Sequence, residues 1–356
     1  MGRTLLPPAT RVLRPLIALF LTACAAFAAT PALAQSETRT ITVLAQRADP
    51  AINALTEAYQ SATGVRVVTI AEPLLDAAAI RSRLGAGDID VLWLRDPLLA
   101  PELANSDHLA PLTGEHAAAA PATQRDADAN WIVAAHRARV FVVNSDHAII
   151  VERPGGERSE PRSIYDAWNP TLGDGAFLFA RPEHGSMRAH LGAFLTVTSP
   201  IDVTRWAGQM QRQRVRIVED EHQVVRAVGT LEALSGFTDS DIVEEGKRNG
   251  WPVRGLLMRH DLADRDGNVA NPIGPVLVPM ICARPANAPS PALADAFIEF
   301  ALGESAQRML GETPGVLDAS GAGETLEGQE PAPVDTHSII ANAREGVSRL
   351  HIVLPH

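Results

Sequence analysis

Two carboxylates stand close together after a short apolar run in the second half of the chain. Asp239 and Asp241 follow Phe237 and precede the apolar pair Ile242-Val243. Paired carboxylates at the end of a strand can hold a metal ion, an ammonium group or another cation. The same pattern is also typical of a helix start that Asp239 caps ahead of the apolar pair. Both interpretations stay open from the sequence.

A second candidate site is the segment of residues 181–188, which joins a predicted strand to a predicted helix. Gly185 and Ser186 stand at the start of that helix, and Met187 and Arg188 continue into its first turn. Free backbone amides and the helix dipole attract an anion at such a position. A plain helix cap is the alternative interpretation. His184 is either a ligand or a solvated loop residue.

Sequence signatures of catalysis are missing. The chain has no His-Glu-x-x-His, no Gly-x-Ser-x-Gly and no Gly-x-x-x-x-Gly-Lys motif. Residues 264–268 resemble part of a calcium loop, but the glycine at the sixth place and the glutamate at the twelfth place of such a loop are missing, which favours a solvated turn. Cys282 has apolar neighbours, which indicates a buried and unreactive thiol. The sequence therefore predicts neither an enzyme nor a resident cofactor.

The amino-acid composition argues against several further classes of protein. The 356 residues are 46% hydrophobic and include 31 Lys and Arg against 42 Asp and Glu, a formal charge of −11. So much apolar surface is not compatible with a disordered chain. A general nucleic-acid binder needs a basic face, so this charge balance argues against one. Two cysteines cannot form a disulfide framework or a four-thiolate metal site.

The first 34 residues have the pattern of an export signal. Three arginines precede an apolar run that starts at Leu16 and ends in Ala32-Leu33-Ala34, a small-x-small cleavage pattern. We therefore expect a mature chain that starts at Gln35, works in the periplasm and has no membrane span. The alternatives are an uncleaved anchor, or a lipid anchor on Cys24, which stands in a lipobox-like sequence.

Strand and helix patterns alternate along the mature chain. Short β-branched runs at residues 40–44, 65–70 and 89–94 are separated by helical patterns that begin near Asp49-Pro50 and Leu74. This order predicts an α/β fold with a mostly parallel sheet that helices cover on both faces. Ligands of such sheets bind beyond the carboxyl ends of the strands. The loops there carry Gln46 with Arg47, and Arg95 with Asp96.

A second α/β set follows an unusually long extended run. Residues 131–144 are long enough to serve two sheets and are predicted to cross between two lobes. The second set spans residues 177–234, and residues 273–284 are expected to return the chain to the first lobe. An amphipathic helix is predicted at 291–310, a loose connector at 318–336 and a last helix at 337–350.

Five segments, in this order, resemble segments of the periplasmic solute-binding proteins of bacterial ABC transporters, in the class around the ferric-ion-binding proteins. The resemblance covers about Ile41 to Leu310, and its segments are residues 89–96 (Asp-Val-x-Trp and a cleft loop), 131–144 (Arg-x-Arg-Val and an Asn), 163–170 (Ser-x-x-Asp and a Pro), 182–187 (a Pro-x-x-Gly loop) and 236–241 (Gly-x-Thr-Asp-x-Asp). It implies a two-lobed periplasmic-binding-protein fold with the ligand in the cleft between the lobes.

The implied organisation divides the chain into a signal peptide, two lobes and a tail. The expected boundaries are 1–34 for the signal peptide, 35–135 and 272–317 for lobe 1, 136–271 for lobe 2, and 318–356 for a connector with a C-terminal helix. The ligand-contacting residues that we expect from the motifs are Gln46, Arg47, Trp93, Arg95, Asp96, Arg137, Gly185, Ser186, Met187, Arg188, Asp239 and Asp241.

Departures from the ferric-binding pattern affect the expected ligand. Where the family has a His, a Glu and a Tyr-Tyr pair on iron, this chain has Ala48, Arg95 and Asp241-Ile242. The only tyrosines, Tyr59 and Tyr165, fall in predicted helices, so tyrosinate coordination of Fe(III) is disfavoured. The remaining groups are arginines, which bind carboxylate or phosphonate, and aspartates, which suit an ammonium group or a metal.

The expected function is therefore capture of a small anionic or zwitterionic solute for an inner-membrane ABC permease. An organophosphonate-like molecule fits this expectation, as does a metal–anion complex carried as the transported ligand, with Asp239 and Asp241 on the metal. The protein is expected to act as a monomer. Two alternatives stay open: a binding module that feeds a sensor, and an exported metal-dependent hydrolase.

Overall fold

The computed structural model describes residues 39–354, apart from residues 74–75, 153–154, 170–171 and 261–272. The predicted signal peptide, Cys24 and the calcium-like turn at 264–268 lie outside the described residues. Strands and helices alternate through the described part, with two short strands pairing as a separate hairpin. The predicted mixture of α and β elements is confirmed.

The strands of the described residues are β1 (Thr40–Ala45), β2 (Arg66–Ala71), β3 (Val91–Leu94), β4 (Leu109–Ala110), β5 (Trp131–Asn144), β6 (Val151–Glu152), β7 (Arg158–Ser159), β8 (Phe177–Ala180), β9 (Arg216–Val218), β10 (Ser235–Asp239), β11 (Val253–Leu257) and β12 (Leu277–Pro285). Their α-helices are α1 (Pro50–Thr63), α2 (Ala77–Leu84), α3 (Leu99–Ala104), α4 (Glu115–Ala119), α5 (Gly185–Val197), α6 (Pro200–Arg212), α7 (Glu221–Gly229), α8 (Ser240–Arg248), α9 (Pro291–Leu302), α10 (Glu304–Glu312) and α11 (Thr336–His351). Short 3₁₀ helices add Ala122–Gln124, Ile164–Trp168 and Glu324–Leu326.

The main sheet has the strand order β2-β1-β3-β12-β5-β10-β8-β9, with β4 on β12 and β11 on β5. Pairs β1–β2, β1–β3, β8–β9 and β8–β10 are parallel. The two returning strands β5 and β12 pair antiparallel with their neighbours. We call the elements around β2, β1, β3 and β12 lobe 1, and those around β9, β8, β10 and β11 lobe 2.

The long strand β5 joins the two lobes, as its length predicts. Its first part, Trp131 to Ala138, pairs with β12 in lobe 1. Its second part, Arg139 to Asn144, pairs with β10 and β11 in lobe 2. Because one strand lies in both halves of the sheet, residues at its middle stand between the lobes. Arg137 and Arg139 occupy that middle.

Helix starts follow the local sequence signals. The carboxylate of Asp49 accepts the amide of Ile52 at 3.0 Å, Pro50 fills the first turn, and Gly64 ends the helix with φ +68°. These contacts fix α1 immediately after β1. Asp49 therefore lies at the carboxyl edge of the sheet, where the predicted cleft loops also lie.

Two expectations about the C-terminal part differ from the structure. The helix predicted at 291–310 is split at Gly303 into α9 and α10. The connector predicted as loose at 318–336 packs on the body instead, since Leu326 is buried and the Ala332 amide bonds to the Pro275 carbonyl at 2.9 Å. The Gly-, Pro- and Glu-rich composition of this segment did not indicate that its few apolar residues are buried. The last helix, α11, lies close to its predicted position.

Candidate functional site

A cavity of about 300 Å³ lies between the loops of the two lobes. Lobe 1 contributes the segments after β1, β2 and β3, and lobe 2 contributes those after β8, β9 and β10. The lining residues are Gln46, Arg47, Pro73, Arg95, Asp96, Ala180, His184, Gly185, Ser186, Glu219, Asp220, Glu221, Asp239 and Ile242. The size is at the lower end of the range for small-molecule sites.

Arg95 lies at the centre of a buried ion-pair cluster that joins the lobes. Its Nη1 donates to Asp49 at 2.9 Å and to Asp241, and its Nη2 donates to Asp241 at 3.2 Å. Asp49 also accepts the indole N–H of Trp93 at 2.8 Å. Burial alone would lower the pKa of Arg95, but the carboxylates of Asp241 and Asp49 raise it, so the guanidinium is firmly charged.

Asp239 is held by two arginines of β5. Arg137 donates Nε to Asp239 at 2.7 Å, and Arg139 donates Nη1 at 2.6 Å. The hydroxyl of Ser186 donates to the same carboxylate, and Arg137 also bonds to that hydroxyl at 2.7 Å. Burial alone would raise the pKa of Asp239, but the charges of Arg137, Arg139 and Arg95 outweigh it and hold the pKa well below its usual range.

The predicted anion site at the start of α5 is occupied by a carboxylate of the protein itself. Asp96, from lobe 1, accepts the Gly185 amide at 2.8 Å and the Arg188 guanidinium at 2.7 Å. The side-chain oxygen of Gln46 accepts the amides of Arg95 and Asp96 at 2.7 and 2.9 Å, which fixes this loop. Gly185 has φ +66°, a conformation that favours glycine.

Arg47 forms the outermost link between the lobes. Its Nε and Nη2 donate to Glu245 of α8 at 3.1 and 2.7 Å. The two side chains are 29% and 24% exposed, so this pair is open to solvent, unlike that of Arg95. His222 stands beside the pair, with Nε2 3.0 Å from Glu245.

The structure brings most of the expected site residues together, but in roles that the sequence did not indicate. Trp93, Arg137 and Met187 are fully buried and do not line the cavity. These three residues lie in the protein interior beneath the residues that line the cavity. Asp239 stands at the N-cap position of α8, as the capping alternative expects, but its side chain makes no capping bond and pairs with arginines instead.

Asp239 and Asp241 do not form the metal site that their spacing allows. Their oxygens bond to the guanidinium groups of Arg95, Arg137 and Arg139 instead. Within the described residues, no group of three or more His, Cys, Asp or Glu side chains is placed to hold a metal ion.

Sequence reasoning missed several residues of the cluster, namely Asp49, Arg139, Glu221, His222 and Glu245. One signal was available for Arg139. It stands two positions after Arg137 in an otherwise apolar strand, so both side chains are on the same face. Asp49, Glu221 and His222 lie at helix starts and Glu245 lies in the second turn of α8, and the sequence pattern at these positions does not indicate a place in the cleft.

Comparison with protein families identifies the class. Residues 41–313 match the family model described as bacterial extracellular solute-binding protein. The chain belongs to this family. The expected membership in a solute-binding class is therefore confirmed, and a small-molecule ligand follows from it. A comparison with curated protein sequences gave no significant match.

Solved structures with the same fold include ferric-binding proteins. Iron-bound HitA from Pseudomonas aeruginosa is 19% identical with a TM-score of 0.65, covering 88% of this chain and 99% of that one. IdiA (FutA) of Trichodesmium, in complex with iron and citrate, is 16% identical with a TM-score of 0.64, covering 88% and 99%. AfuA from Actinobacillus pleuropneumoniae, with fructose-6-phosphate bound, is 12% identical with a TM-score of 0.65, covering 89% and 98%. The predicted two-lobed periplasmic-binding-protein fold is confirmed.

None of the helices of the described residues combines the length and the apolar composition that a membrane span requires.

Proposed function

We propose that this protein captures a small anionic or zwitterionic solute in the cavity between its lobes and delivers it to an inner-membrane ABC permease. Residues 35–135 with 272–317, and residues 136–271, would move as two bodies about β5 and β12. Closure around the solute would produce the shape that the permease recognises. The protein would work in the periplasm, as a monomer, after removal of residues 1–34.

The observation that carries this proposal is that loops of both lobes line one cavity and bond across it. Arg95 reaches Asp241, Asp96 reaches Arg188, and Arg47 reaches Glu245. Each bond runs from lobe 1 to lobe 2. A hinge motion would break all three bonds together, so the charged loops act as one closing surface.

The anionic part of the solute is assigned to Arg47. This guanidinium lines the cavity, is partly exposed, and uses Nε and Nη2 for Glu245. Its Nη1 makes no hydrogen bond to the described residues and is free to bind a carboxylate or phosphonate oxygen. Charged side chains line the cavity. An uncharged solute would offer them no charged partner, so its binding is unfavourable.

A bare ferric ion is not the proposed solute, although related structures contain iron. The carboxylates at the expected metal position already bind arginine. Tyr59 packs against Phe297 with ring centroids 5.2 Å apart, and Tyr165 packs against Phe194 at 6.3 Å. Neither phenol belongs to the cavity lining. A metal carried with an organic anion stays compatible with Arg47.

Thermal unfolding of the mature protein with a panel of solutes tests the proposal. The panel contains phosphate, phosphonates, carboxylates, amino acids and ferric citrate. A bound solute at 100 times its dissociation constant stabilises the folded state by about 2.7 kcal/mol. The same solute should lower the radius of gyration in small-angle X-ray scattering. Absence of stabilisation by every member of the panel would contradict the proposal.

A further inference from the structure

The arginines of the cavity wall are already matched by carboxylates. Arg95 is enclosed by aspartates, and Arg47 is paired with Glu245. Among the acidic residues of the wall, Asp96 and Asp239 are paired with arginine. A carboxylate oxygen of this cavity that lacks a hydrogen-bond donor within the protein would therefore need a donor from a bound solute.

Glu221 supplies such an acceptor. It is the first residue of α7 and lines the cavity. One carboxylate oxygen, Oε1, accepts Nη1 of Arg139 at 2.8 Å. The other, Oε2, is shielded from solvent and has no hydrogen-bond partner among the described residues. A buried carboxylate oxygen without a donor is costly, and native sites that retain one commonly use it.

We propose that Glu221 is the residue that selects a solute with an ammonium group, its carboxylate accepting a hydrogen bond from that group. This inference rests on the proposed function, because Arg47 holds the acidic end of the same molecule. The two groups together would make the solute a zwitterion. Ammonium is suited to this position because it is compact and donates in several directions.

The electrostatics of the cavity support this assignment. Burial and the nearby charge of Asp239 raise the pKa of Glu221 to about 7, although Arg139 and Arg137 of β5 oppose the shift. With no ammonium group beside it, Glu221 therefore exchanges a proton with solvent near neutral pH. An ammonium group at this position would keep Glu221 ionised. Solute affinity should then increase from about pH 6 to about pH 8.

Matched pairs of probes test the inference by calorimetry on the mature protein. The pairs are 4-aminobutyrate with butyrate, and 2-aminoethylphosphonate with ethylphosphonate, whose members differ in the amino group alone. The aminated member of a pair should bind at least about tenfold more tightly, as expected for one charge-assisted hydrogen bond. The affinity for 4-aminobutyrate, whose own charges are constant in this range, should follow the pH trend above.

Variants assign the preference to one side chain. Glu221→Gln should reduce the preference for the aminated member to within about threefold. Glu232→Gln, a matched change at an exposed glutamate of lobe 2, should leave the preference intact. Equal binding of both members by the unaltered protein would overturn the inference but leave the proposed function in place, as would a preference unchanged by Glu221→Gln. Absence of binding by all four probes would overturn the inference alone, because the proposed function is decided by the wider solute panel.

Discussion

Arg95 and Asp241, 146 positions apart in the sequence, form a two-bond ion pair in the interior between the two lobes. Asp241 is fully buried, and the Arg95 side chain is 10% exposed. Removing one member of a buried ion pair leaves the other charge without compensation, which costs more than the pair itself contributes. Arg95 is thus a structural link as well as part of the cavity wall.

The first prediction concerns this link. Arg95→Ala should lower the free energy of unfolding by about 3–5 kcal/mol, because Asp49 and Asp241 lose their common cation in a buried site. Urea unfolding followed by circular dichroism measures the change. Arg83→Ala is the control, since its acceptors Glu72 and Asp88 are 36% and 55% exposed and the expected loss is much smaller. Similar losses in both variants would contradict the structural role of Arg95.

The second prediction concerns the exposed link between Arg47 and Glu245. Glu245→Gln should strengthen binding of an anionic solute about threefold to tenfold, because it removes the competing carboxylate from Arg47. Arg47→Ala should weaken binding of the same solute by about 1.5–3 kcal/mol. Titration calorimetry with the solute found by thermal unfolding measures both. Changes of the same sign in the two variants would place the anion elsewhere.

Much of the fold could be predicted from local patterns. The cap at Asp49, the stop at Gly64 and the length of residues 131–144 each rest on neighbours in sequence. Such signals are determined by backbone geometry and survive in any tertiary context. The order of strands and helices then restricts the topology to few solutions. The two-lobed arrangement follows from these elements and from the family motifs.

The pairing inside the site could not be predicted in the same way. The sequence identifies Arg95 and Asp241 as cleft residues, but it does not indicate that they bond to each other rather than to a ligand. The same holds for Asp96, which fills the helix start at Gly185. These contacts join positions about 90 to 150 apart and depend on how the loops of the two lobes meet. Burial, which decides the protonation of Glu221, is likewise a property of the assembled fold.

A pair of buried histidines lies behind the site in lobe 2. His190 and His260 are both fully buried, and their Nε2 atoms are 2.8 Å apart. One nitrogen must donate and the other accept, so the pair is stable with both rings neutral. Burial lowers the pKa of His260 to about 4. It also lowers the pKa of His190, on which the positive charges of His260 and Arg139 act in the same direction while Asp239 opposes them.

The third prediction follows from this depressed pKa. The unfolded chain takes up a proton on His260 near pH 6.5, whereas the folded chain does so only near pH 4, so stability falls as pH is lowered through this range. The shift corresponds to about 3 kcal/mol between pH 7 and pH 4. Glu221, with its raised pKa, has the opposite dependence, so the test compares variants rather than the protein alone.

Urea unfolding at both ends of the range measures this contribution. His260→Gln should lose less stability on acidification than the unaltered protein, by up to the amount given above. His147→Gln, at an exposed loop position, is the control and should keep the full acid sensitivity. An unchanged pH profile in His260→Gln would show that the histidine pair does not control the acid response.

The fourth prediction concerns the contact between α5 and the C-terminal helix α11. A Cβ at Gly192 would lie 2.3 Å from the Ile339 carbonyl oxygen and 3.0 Å from the Ala343 backbone, so the helices meet at a distance that only glycine allows. Gly192→Ala must separate them and should cost about 1–3 kcal/mol of unfolding free energy. α5 carries Gly185 and Ser186 at its start. A displaced α5 should therefore also weaken solute binding.

Gly208→Ala in the neighbouring helix α6 separates this steric effect from the general effect of a helical alanine. The nearest atom to its Cβ, Val353 Cγ1, is 3.9 Å away, so the substitution fits without strain. It should stabilise the protein by about 0.4–1 kcal/mol, because alanine restricts the unfolded chain more than glycine does. The free energy of unfolding should therefore fall in Gly192→Ala and rise in Gly208→Ala. Solute affinity should weaken in Gly192→Ala only. Stabilisation of equal size in both variants would mean that α11 does not hold α5 in place, and that the site depends on lobe contacts alone.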